Sequence, residues 1–66
     1  MQTNARIDEL QVHDYARLLL NARGDKAVAD AAHKAQLCAE RGAADQAETW
    51  RRIEAAIKLM RGPHQG

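Results

Sequence analysis

Phenylalanine is missing altogether, and one tryptophan and one tyrosine are the only aromatic residues in the 66-residue chain. β-Branched residues are also few. A β-sandwich, which packs such side chains between two sheets, is therefore not expected. Cysteine occurs once, at Cys38, so no disulfide can form within the chain, and a reducing compartment is expected. The longest run of large apolar residues is Leu18-Leu19-Leu20. That is far short of the ~20 residues a membrane span needs. The opening from Met1 to Arg6 lacks the apolar stretch of a secretory signal. The cytoplasm is the expected location, with no membrane association. Charge of one sign is also scarce: ten Lys and Arg oppose nine Asp and Glu, for a net +1, and no run of like charge exceeds a pair. A nucleic-acid binder that relies on counterion release carries a strong basic excess, so nucleic acid is not an expected partner.

Bulky apolar material is scarce as well. Hydrophobic residues make up 45% of the chain, but 14 of them are Ala. A chain this short buries only about 60% of its unfolded surface, which leaves its stability marginal. A large enclosed active site is not expected. One small helical domain over residues 1–66 is.

What is present is a repeated stop signal. Arg-Gly occurs at Arg23-Gly24, Arg41-Gly42 and Arg61-Gly62. Glycine enters the left-handed conformation just past a helix end without a Cβ penalty. Arginine in the last turn faces the negative end of the helix dipole. Pro63 follows the third pair, and proline cannot continue a helix. Start signals match: Thr3 or Asn4 for the first helix, Asp25 as cap of the second, and Asp45 with Glu48 near the start of the third. The pattern predicts helices over about 5–23, 25–41 and 44–61, with frayed ends at 1–4 and 63–66. Short connections make neighbours antiparallel. The expected fold is all-α: a three-helix antiparallel bundle, or a helical hairpin plus one helix, that self-associates.

The apolar stripes agree with that division. Helix 3 carries Ala43, Ala47, Trp50, Ile53, Ile57 and Met60 at steps of three and four. Helix 2 carries a thin stripe of Val28, Ala31, Ala35 and Cys38, with Leu37 off the seam. Helix 1 carries two stripes: Val12, Tyr15, Ala16 and Leu19, and beside them Ile7, Leu10 and Leu18. Three consecutive leucines sweep roughly 200° of the helix surface. One helical hairpin on one side cannot cover that arc. Either helix 1 is central, or another chain covers part of it, and the thin core favours the second. The expected interface residues are Ile7, Leu10, Val12, Tyr15, Leu18 and Leu20.

The charges read as a solvated face. Asp30 and Lys34, Glu48 and Arg52, and Glu54 and Lys58 are each acid-to-base pairs four residues apart, an order that supports a helix by about 0.2–0.5 kcal/mol per pair. Arg51, Arg52, Lys58 and Arg61 form the possible anion or nucleic-acid contact, with Glu48 and Glu54 interspersed.

No arrangement for catalysis or metal binding emerges. His33 and Cys38 are five residues apart, turned about 140° from each other on a helix. There is no CxxC, HExxH, GxSxG, P-loop or GxGxxG pattern. Cys38 beside an alanine stripe reads as a small buried hydrophobe. No cofactor, metal or small-molecule substrate is expected, and the chain is not expected to be an enzyme.

Ala32 to Pro63, with Gly42, Ala47 and Trp50, resembles the helical hairpin of tetratricopeptide repeats. Trp50 stands one position early, Glu54 occupies a small-residue position, and there is no second copy, so the resemblance is not adopted as an assignment. The stretch Tyr15-Ala16-Arg17-Leu18-Leu19, Gly24-Asp25 and Ala47-Glu48-Thr49-Trp50-Arg51-Arg52-Ile53 is similar to small helical proteins of alphaproteobacteria. That resemblance implies a bacterial cytoplasmic origin and brings no activity with it. The sequence reads as a helical protein-interaction module: an accessory subunit, adaptor or small regulator. Its partner is expected to be itself, an unidentified protein, or both. The alternative is a nucleic-acid-linked regulator using the basic helix 3 surface of a dimer.

Overall fold

In a computed structural model, the backbone is described for residues 9–61 and the side chains for residues 11–61. Three helices pack against one another: α1 (Glu9–Arg23), α2 (Lys26–Glu40) and α3 (Ala44–Arg61). Among the described residues only Gly24, Asp25, Arg41, Gly42 and Ala43 are not helical. The expected start of helix 1 near residue 5, its cap at Thr3 or Asn4, and the frayed ends at 1–4 and 63–66 lie outside the described residues, as does Gly62.

Both described glycine stops form for the expected reason. Gly24 has φ +59° and Gly42 has φ +80°. The Gly24 N–H donates to the Leu20 carbonyl at 2.7 Å, a single bond that closes α1. At the end of α2, the Ala43 N–H donates to the Cys38 carbonyl at 2.8 Å and the Gly42 N–H to that of Ala39 at 3.1 Å. This is the paired Schellman arrangement, and it satisfies carbonyls the helix leaves open. α2 nevertheless starts one residue later than expected. Asp25 occupies the cap position, but its backbone is already αR (φ −61°, ψ −21°) and its side chain makes no capping hydrogen bond. A capping side chain reaches back from an extended backbone, so the αR geometry turns the carboxylate away. It lies instead 3.6 Å from the Arg61 guanidinium.

The core contains Val12 and Ala16 from α1, Ala27 and Ala31 from α2, and Ile53, Ala56 and Ile57 from α3. Leu19, Leu20, Val28, Trp50 and Met60 pack against it, half-buried. Ile53 and Ile57 are its largest fully enclosed side chains. They lie among alanines, and small side chains let helix axes approach closely. Helix α3 is central: its interface with α2 is the most extensive, that with α1 is next, and α1 meets α2 least. Helix 1 is therefore not the central element that one reading of its wide apolar arc required.

Two residues change places relative to the sequence reading. Val12, expected on the outer interface, is buried 3% exposed within the chain's own core. It stands one turn before the fully buried Ala16, so both share the side of α1 that enters the core formed with α2 and α3. Leu20, also expected at the interface, is half-buried against the same cluster. Ile7 lies outside the described residues, and so does the side chain of Leu10.

Candidate interaction surface and cleft

Helix α1 turns Val12 and Ala16 inward, which leaves Gln11, Tyr15, Leu18 and Ala22 on a flank exposed to solvent. Their spacing of four, three and four residues places them in one row. Leu18 is 63% exposed and Tyr15 is 43% exposed. The outer apolar row expected on helix 1 is thus narrower than the sequence suggested, and Tyr15 and Leu18 carry it.

Tyr15 also forms one wall of a cleft. Its ring meets that of Trp50 on α3 edge-on, with centroids 5.5 Å apart and planes at 74°. This arrangement sets the positive edge of one ring against the negative face of the other. The Lys34 ammonium of α2 stands 5.6 Å from the Trp50 ring centroid, within cation–π range. Leu19, Arg23, Asp30 and His33 complete the lining of a cleft of about 310 Å³.

Arg23, the last residue of α1, closes the cleft at the turn end. Its Nε donates to Asp30 Oδ2 at 2.6 Å and its Nη2 to Oδ1 at 3.4 Å. The pair crosses the Gly24-Asp25 turn and ties α1 to α2. The hydrogen bond to Asp30 raises the Arg23 pKa, and the hydrogen bond from Arg23 holds the Asp30 carboxyl below its ordinary range. Lys26 and His33 add to the positive field around Asp30. The expected Asp30–Lys34 pair along α2 does not form. The Arg23 fork offers two donors to one carboxylate, which a lysine ammonium cannot match, and Lys34 turns to Trp50.

The other two expected pairs are present: Arg52 lies 3.6 Å from Glu48, and Lys58 lies 3.4 Å from Glu54. These pairs, with Arg61 facing Asp25, place an acid beside three of the four cations named as a possible nucleic-acid contact. Arg51 is exposed and makes no ion pair among the described residues. Leu59 on the outer side of α3 is the most exposed large apolar residue described, at 77%. Sequence reasoning passed over it because it stands off the stripe of Ile53, Ile57 and Met60.

Cys38 is buried and free, and its thiol approaches the Gln46 side-chain oxygen at 3.8 Å, a weak contact. The described residues contain no group of three or more His, Cys, Asp and Glu placed to hold a metal ion. No helix among them is long and apolar enough to cross a membrane. No protein-family model, curated protein or solved structure matches the chain.

Proposed function

We propose that the chain is a non-enzymatic helical interaction module in the cytoplasm, acting as an accessory subunit, adaptor or small regulator. It binds another protein, or a second copy of itself, by helix packing on the outer flank of α1. One observation carries this reading: Leu18, 63% exposed, stands one turn from the 43% exposed Tyr15 on a single side of the helix. Aromatic and aliphatic anchors of this kind contribute most where a partner excludes water from them. The buried free thiol of Cys38 fits a reducing compartment.

The reading is tested by replacing Leu18 with Glu and following mass by light scattering across micromolar concentrations, with helicity monitored by circular dichroism. Association that weakens at least tenfold with helicity intact supports it. Leu18 is the appropriate probe, because Leu20 packs on the core and its replacement would also disturb folding. If wild type and Leu18→Glu remain the same monomer, and both recover the same proteins from a cell extract, α1 is a core helix only.

A further inference from the structure

We propose that the cleft between α1 and α2 is a binding site for an apolar group carrying one carboxylate, with Lys34 as its counter-ion. The site shares Tyr15 with the outer flank of α1 but does not include Leu18, so Leu18→Glu tests the flank and leaves the cleft lining intact.

The lining divides into two parts. Tyr15, Leu19 and Trp50 supply an apolar wall and floor, and Arg23, Asp30, His33 and Lys34 supply the polar rim. A volume of about 310 Å³ suits a group the size of one aromatic or branched aliphatic side chain with a short acidic arm. The charge on the rim decides the sign of the ligand. The only carboxylate in the lining, Asp30, is already engaged by both donors of the Arg23 fork. A cationic ligand would have to break that pair, and the Trp50 face that could otherwise receive it already carries Lys34. Lys34 has no carboxylate partner among the described residues, and its ammonium has three N–H donors, more than one aromatic face can occupy. A carboxylate at Lys34 would therefore be charge-matched, with its apolar part lying on Trp50 and Tyr15. A single ammonium balances one carboxylate, which favours a monoanion over a phosphate dianion.

The sole tryptophan lies in the cleft, so occupancy is read directly from Trp50 fluorescence. Two probe pairs separate the sources of such a group. The first is 3-phenylpropionate against the uncharged 3-phenylpropanamide. The second is the peptide acetyl-Ala-Leu-Glu-Ala-Leu-amide against the same peptide with Gln for Glu. A ligand of this size is expected to bind with a Kd on the order of 1 mM. Each acid should bind about two- to five-fold more tightly than its neutral twin, the range of an exposed ion pair. That preference should disappear in Lys34→Gln, persist in Lys34→Arg and fall with added salt. Tighter binding of the peptide assigns the cleft to an acidic protein segment, and tighter binding of phenylpropionate to a small free acid. If neither acid changes Trp50 fluorescence saturably, or if the neutral twins bind equally well to the wild-type chain, the proposal is overturned.

Discussion

Arg23 and Asp30 join the end of one helix to the second turn of the next through a fork whose shorter arm is 2.6 Å. The link spans the tightest connection in the described chain, where α1 and α2 otherwise touch least. Its contribution depends on pH. The Asp30 carboxyl titrates below its ordinary value near 3.8 because Arg23 stabilises the charged form. The resulting stabilisation is present in full above that ordinary value and is lost as pH falls through the lower, folded-state value. Wild type should therefore melt higher than Asp30→Asn at neutral pH, with the difference closing in the acid range below pH 3.8. A difference that stays constant down to strongly acid solution would mean that the pair adds nothing. Arg23 titrates above the neutral range and adds no dependence there.

Ile57 is fully enclosed in a core that is otherwise mostly alanine, so it supplies much of the bulk there. Ile57→Ala should cost about 2–5 kcal/mol in urea unfolding followed by circular dichroism. At roughly 0.05–0.15 kcal/mol per residue, the whole chain has about 3–10 kcal/mol to lose. The variant should thus lose a large fraction of its stability, and a loss under 1 kcal/mol would show the core to be misassigned.

At Gly42 a Cβ would meet nothing within 4 Å, so the cost of substitution lies in the +80° φ alone. Gly42→Ala should destabilise by about 1–2 kcal/mol. Gly42→Asn should cost less, since Asn tolerates the left-handed region better. Equal melting temperatures for Ala and Gly would indicate that α2 ends by another route.

Leu59 provides a control for the α1 surface. It is more exposed than Leu18 but stands on α3 and is not part of the cleft lining. Leu59→Glu should change stability by no more than about 0.5 kcal/mol. It should also leave association untouched while Leu18→Glu weakens it. If both substitutions act equally on association, the contact is a general apolar stickiness and not a surface of α1.

The helix ends were legible because glycine past a helix answers a backbone demand that sequence states directly. Gly24 and Gly42 both adopt positive φ where expected. The helix 3 stripe was legible too, since Ile53 and Ile57 are bulky and stand four apart. The alanines were harder. Ala27 and Ala56 are buried, while Ala39 and Ala22 are exposed. An alanine contributes so little to a hydrophobic period that neighbouring helices decide which ones are enclosed. Val12 is a related case: the sequence offers two adjacent stripes on helix 1, and only packing decides that Val12 is enclosed. The cleft left no trace in the sequence. Tyr15 and Trp50 lie on different helices, and the acid nearest Lys34 along α2, Asp30, is held by Arg23 from across the turn.

Ala31 and Ala35 are fully enclosed, and with Ala27 they line the side of α2 that meets its neighbours. Adding methyl groups there forces helices apart and typically costs 1–3 kcal/mol. The inward side of α2 is thus already at minimum size and can drift in neither direction, since glycine would loosen the helix and valine would not fit. Substitutions that this helix tolerates are therefore confined to its exposed rows, and Ala31→Val and Ala35→Val should each destabilise where a change at exposed Ala39 does not.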